Sequence, residues 1–142
     1  MEMKILFLVI AIIVSIFLQG CMGKEPAEND IVGTWISFEK AELILNKDGT
    51  LTGNSIPVRF GFIPNDTLKN KRFSGSGKWT MRKGSNYREV LLEFNEVNLN
   101  NNGCSFPVLI AGENGLLDNK PPWYLFVWEE EEGGDRYKFA KK

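Results

Sequence analysis

The chain has 142 residues, with 17 Lys and Arg against 18 Asp and Glu, and no histidine. The near-neutral balance gives no reason to expect a nucleic-acid partner. The missing histidine removes Ser-His-Asp and Cys-His catalysis, HExxH zinc chemistry and any His-ligated metal site, while mechanisms that use carboxylates alone survive.

In chain order, the first element is Ile5 to Leu18, 14 residues in which only Ser15 is polar. As a helix at ~1.5 Å per residue it spans roughly 21 Å, short of a ~30 Å hydrocarbon core. That length fits the apolar region of an export signal better than a membrane span. The run stops at Leu18-Gln19-Gly20-Cys21, which resembles the lipobox of bacterial lipoproteins. The resemblance implies that residues 1–20 are a signal peptide cut before Cys21. It implies a thiol joined to diacylglycerol, an acylated (palmitate-type) new amino terminus, and a location on the cell envelope. Met22 follows the cysteine where an Asp would favour retention in the inner membrane. The expectation is therefore the outer membrane in a Gram-negative cell and the outer face of the plasma membrane in a Gram-positive one.

Residues 21–30 then read as a lipidated cysteine and a polar tether containing Pro26, and residues 31–142 as one domain. After residue 20 the cysteines are Cys21 and Cys104. With Cys21 lipidated, Cys104 has no intrachain partner and reads as a small apolar residue.

From Ile31 onward the pattern is strand, turn, strand. Ile31 to Phe38 is β-branched and aromatic, and Ala41 to Leu45 leads into a turn at Asn46-Lys47-Asp48-Gly49 and on to Thr50–Gly53. A short helix is expected near Asn65 to Asn70. Phe73 to Arg82 and Arg88 to Phe94 pair across a turn at Gly84-Ser85-Asn86. Cys104 to Ala111, Leu116-Leu117, Trp123 to Glu129 and Arg136 to Phe139 complete the set. Trp123 to Trp128 is apolar on both alternating faces, which predicts a strand packed on two sides. Seven to nine short strands with local turns give an all-β, antiparallel up-and-down meander. Such a meander buries one face best by closing into a small barrel; a β-sandwich is the alternative.

Several motifs sit on this frame. Gly33-Thr34-Trp35 resembles the GxW signature of lipocalins and the wider calycin group. The resemblance implies that Trp35 closes the base of the barrel with an Arg of the last strand over its ring, and Arg136 is the candidate. Asp48-Gly49-Thr50, Ser74-Gly75-Ser76-Gly77-Lys78-Trp79 and Arg136-Tyr137-Lys138-Phe139 resemble the pattern of lipocalin-like bacterial lipoproteins of unassigned function. Ser74 to Lys78 is also similar to a loop of membrane-bound lysozyme inhibitors, in which a Ser and a Lys enter the enzyme's cleft. That likeness implies Ser76 and Lys78 as contacts, although the accompanying disulfide is missing. Each of these motifs also has a purely structural reading, since turns need glycine and barrels need aromatics.

Arg59 to Arg72 is the longest irregular stretch. It mixes Phe60, Phe62 and Ile63 with four cations, Arg59, Lys69, Lys71 and Arg72, and is the candidate rim of the barrel mouth. Glu129 to Glu132 before Gly133-Gly134 reads as a solvated hairpin tip rather than a cation site. The 15 aromatics after residue 20 predict a mostly packed interior with at most a shallow pocket near Arg59 to Arg72. The expected function is a non-catalytic binding or interaction module, held to the membrane through Cys21 and needing no cofactor or metal. Its partner is expected to be a protein or polymer surface, or else a small apolar ligand. The alternative is an inhibitor or immunity-type lipoprotein that blocks an envelope-active enzyme such as a lysozyme.

Overall fold

The computed structural model describes residues 2–20, 23–62, 68, 70–99, 102–115, 117–129 and 134–142. Two helices precede the strands: α1 (Glu2–Gly20) and the one-turn α2 (Glu28–Ile31). Among the described residues no helix is long and apolar enough to cross a membrane. Eight strands follow: β1 (Gly33–Ser37), β2 (Glu42–Leu45), β3 (Thr50–Pro57), β4 (Arg72–Lys83), β5 (Arg88–Val97), β6 (Cys104–Asn114), β7 (Lys120–Trp128) and β8 (Arg136–Lys141). Each pairs antiparallel with its neighbour in sequence, and β8 returns to β1, so the sheet is a closed up-and-down barrel. The sequence reading of the fold therefore holds, and closure leaves no free sheet edge. The architecture is compatible with the lipocalin-like resemblance.

Alternation along each strand builds the interior. Trp35 and Ser37, Leu43 and Leu45, Val90, Leu92 and Phe94, Phe106, Val108 and Ile110, and Tyr137 and Phe139 are all buried. Each such apolar side chain contributes about 1.5–3 kcal/mol on leaving water. The one buried polar residue among those described, Ser37, is satisfied: its hydroxyl meets the Tyr137 hydroxyl at 2.9 Å and accepts from the Ala41 N–H.

β7 is packed on both faces, as its sequence predicts. Trp123, Leu125 and Val127 join the interior core, whereas Tyr124 and Phe126 belong to a separate cluster with Ala111, Leu109 and Tyr87 on the outer wall. Phe126 is fully buried although it points out of the barrel, because Tyr87, Trp128 and Arg136 cover it.

Two local expectations change, and a third falls largely outside the described residues. Ile31 closes α2, and the first strand starts at Gly33. Of the expected strand at Leu116-Leu117, Leu117 is 77 % exposed in the turn between β6 and β7, and Leu116 lies outside the described residues. Two apolar residues are too few to hold a ladder of their own. Of the expected helix near Asn65, residues 65–67 and 69 lie outside the described residues, and Leu68 and Asn70 are in turns.

Candidate functional site

The antiparallel order sends alternate connections to opposite ends of the barrel. The β1–β2, β3–β4, β5–β6 and β7–β8 connections gather at one end. The tether, α2, the β2–β3, β4–β5 and β6–β7 connections and the C-terminus gather at the other.

The first end contains the expected rim. Val58–Phe60 forms a single 3-10 turn that directs Phe60 and Phe62 onto the core. Phe62 meets Phe73 edge-on at 5.5 Å, Phe73 meets Phe94 at 5.2 Å, and Phe94 stacks with Phe106 at 6.0 Å. Phe60 closes the series against Phe106 and Tyr137. Arg59 covers the outside of this plug, 5.0 Å from the Phe60 ring and paired with Glu129 at 2.6 Å. Among the described residues, Phe60 and Phe62 therefore pack into the core at this end; residues 63–67, 100–101 and 130–133 of its connections lie outside the described residues. Ile63 lies outside the described residues. The shallow hollow beside them, about 190 Å³ and lined by Glu39, Arg59 and Arg72 among others, is polar, and Arg72 there is paired with Glu39.

The tether end is different. Between the β4–β5 and β6–β7 connections lies a cavity of about 290 Å³. Arg88, two residues before Val90, continues the inward face of β5, and Ile110 and Trp123 supply the inward faces of β6 and β7. Asn119 comes from the β6–β7 turn, and Gly23 to Pro26 of the tether close one wall. A β-carbon at Gly23 would collide with the Asn119 side chain, so this approach requires glycine. Arg88, Trp123 and Asn119 line this cavity, and each keeps one polar atom (Nε, Nε1 and Oδ1) buried behind the lining with no hydrogen-bond partner among the described residues. Buried polar atoms are paired in most proteins, and each unpaired one costs roughly 1–3 kcal/mol. Three on the residues of one small cavity make it the candidate site of this fold.

Its electrostatics are lopsided. Lys24, Lys83 and Arg88 line it, with Glu25 and Asp118. Asp118 accepts a hydrogen bond from Arg136 at 3.1 Å and is neutralised from the outer wall. Glu25 accepts from Arg88 Nη2. The hydrogen bond and the charge of Arg88, with Lys83 adding to them, hold the Glu25 carboxyl below its ordinary value of 4.5.

The base pair expected from the lipocalin resemblance is corrected here. β1 and β8 are adjacent, but Trp35 faces Lys141 in the register. Arg136 lies five residues earlier in β8, some ~17 Å away at ~3.3 Å per residue. It also points outward, opposite to Tyr137 and Phe139. The cation over Trp35 is Lys141, with Nζ 5.4 Å from the ring, and Trp35 Nε1 donates to the Ile31 carbonyl at 2.7 Å. Arg136 instead lies 4.6 Å from the Phe126 ring and 5.1 Å from Trp128 and bonds the Tyr124 hydroxyl, so it staples the outer wall.

Ser76 and Lys78 are exposed on β4 within a strand paired on both sides, not on a projecting loop. The glycine between them has a packing reason: a β-carbon at Gly77 would strike the Glu93 carbonyl at the bulge. Cys104 is half-buried against the core, and burial pushes its thiol up to about 11. Cys21 lies outside the described residues, as do Glu130 to Gly133. Among the described residues no three metal-ligating side chains come together.

Scans against protein families, curated proteins and solved structures find no match to this chain. Of the cavity residues, one carried a readable signal. Arg88 occupies the inward position of the alternation Arg88, Val90, Leu92, Phe94, and a guanidinium there must meet a partner or an opening.

Proposed function

We propose that this protein is an exported, lipid-anchored envelope lipoprotein of bacterial type, held at Cys21, that works as a non-catalytic binding module. Its ligand is a small molecule received in the cavity beside the tether. The observation that carries the binding reading is that Arg88, Trp123 and Asn119, each with a buried unpaired atom, line one and the same cavity at the tether end. The anchoring reading rests on the lipobox-like Leu18 to Cys21 and on an apolar segment too short to span. Gly23 at the cavity wall is two residues from Cys21, which would hold this end of the barrel close to the membrane. No observation favours the inhibitor reading, because Ser76 and Lys78 stand in mid-strand.

Mass spectrometry of the protein gently extracted from its own membranes tests both parts. The expected species begins at Cys21, carries acyl mass, and holds a non-covalent small-molecule adduct that is lost in Arg88→Gln. A chain retaining residues 1–20 without acyl mass would refute the anchor. An adduct equally retained in Arg88→Gln would refute the cavity as the site.

A further inference from the structure

Resting on the reading of the cavity as a binding site, we propose that its ligand is a small organic anion, and that Glu25 of the tether is an internal competitor which the ligand's anionic group displaces from Arg88.

The first argument is the chemistry of the unpaired groups. Arg88 Nε and Trp123 Nε1 can only donate. One group that satisfies both must be an acceptor, and beside a guanidinium an oxyanion forms the stronger, charge-assisted bonds. Asn119 can present either end of its amide and so serves an acceptor or a donor on the same ligand.

The second argument is that the chain already places a carboxylate there. Glu25 bonds Arg88 through Nη2 and leaves Nε unused. Its side chain remains 65 % exposed, so the contact is an open, solvent-screened pair of the kind that contributes little. Arg88 Nε and Trp123 Nε1 lie buried behind the lining, so a ligand reaches them once Glu25 and the Gly23–Pro26 wall have moved aside, and it then bonds both out of water.

The third argument is size and polarity. About 290 Å³ is at the lower end of the range for small-molecule sites, roughly 300–1,000 Å³. It admits a ring or short chain against Ile110 and the Trp123 indole, and excludes a two-chain lipid. With Asp118 already matched by Arg136, the remaining lining charges are Lys24, Lys83 and Arg88 against Glu25 alone. Removing Glu25 from Arg88 also releases one wall of the cavity, the Gly23–Pro26 segment, so occupancy and tether position are coupled.

The test is a ¹⁵N-resolved NMR titration of the full chain in detergent micelles with two isosteric probes, naphthalene-1-acetate and naphthalene-1-acetamide. The Arg88 Nε–H and Trp123 Nε1–H signals, assigned through Arg88→Gln and Trp123→Phe, report the site directly. Naphthalene-1-acetate is expected to move both saturably and to bind about tenfold or more tightly than the amide. Glu25→Gln is expected to tighten the acetate two- to fivefold, the range that an exposed ion pair supplies, and to leave the amide unchanged. Equal affinities of the two probes at Trp123 would overturn the anion proposal and leave small-molecule binding standing. Acetate affinity unaltered by Glu25→Gln would overturn the competitor role. No movement of Trp123 Nε1–H with either probe would overturn the proposal together with the cavity as a binding site.

Discussion

The two ends of this barrel use inward-facing residues for opposite purposes. At one, Phe60, Phe62, Phe73, Phe94 and Phe106 meet ring to ring and leave no polar atom in the contact. At the other, the inward positions hold Arg88 and Trp123, with Arg88 Nε and Trp123 Nε1 unpaired among the described residues. The inward positions of β5 are apolar at Val90, Leu92 and Phe94, and the rule breaks at Arg88, where the cavity begins. On the binding role proposed above, stability and recognition are separated along the barrel axis. The aromatic end supplies folding free energy, whereas the tether end gives some up, because each unpaired buried atom is a cost.

This contrast can be broken by mutation, and the largest effect belongs to the aromatic end. Phe73→Ala removes a fully buried ring held edge-on by two others, and is expected to lower unfolding free energy by about 3–5 kcal/mol in denaturant titration. Phe60→Ala, at a half-buried ring, is expected to cost about 2 kcal/mol by the same measure. Arg88→Leu at the tether end should go the other way, with an unfolding midpoint at or above the parent's and probe binding lost. It removes a buried unpaired nitrogen and only an exposed ion pair. An Arg88→Leu protein destabilised as much as Phe73→Ala would erase the division between the ends.

Titration separates the ends again, with smaller effects. The Glu25 carboxyl carbon should titrate below 4.5 in the parent and return toward 4.5 in Arg88→Gln. Because the folded-state value is depressed, the contact is complete above the ordinary carboxylate range. It is lost as pH falls through the lowered value, freeing the tether under acid. At the aromatic end the Cys104 thiol, raised to about 11 by burial, should react with iodoacetamide slowly at pH 7. Its rate should climb about tenfold per pH unit until it levels near 11, because the thiolate is the nucleophile. Peptide mapping distinguishes it from Cys21.

Much of the frame was legible. Period-two alternation, Gly-rich turns and the absence of helical periodicity led to an all-β meander, and the doubly apolar Trp123 to Trp128 announced a strand covered on both sides. What failed depended on register. The resemblance to lipocalins directed attention to Arg136 as the cation for Trp35. Pairing between β1 and β8 instead aligns Trp35 with Lys141, and a five-residue offset cannot be read from either strand alone. Phe60 and Phe62 sit in an irregular stretch, and only the tertiary fold turns them inward as a plug. The cavity was the least legible part. It needs the tether to fold back against Asn119, a contact between residues some ninety positions apart that leaves only Gly23 as a trace.

The central claim is that recognition happens at the tether end, through Arg88 and Trp123, in competition with Glu25. A crystal structure of the full chain with naphthalene-1-acetate tests it most directly. The expected result is the probe's carboxylate within hydrogen-bonding distance of both Arg88 Nε and Trp123 Nε1, its rings against Ile110, and Glu25 turned away into solvent. A probe seated elsewhere, on the Phe60 plug or the outer wall around Trp128, with Glu25 still on Arg88, would contradict it.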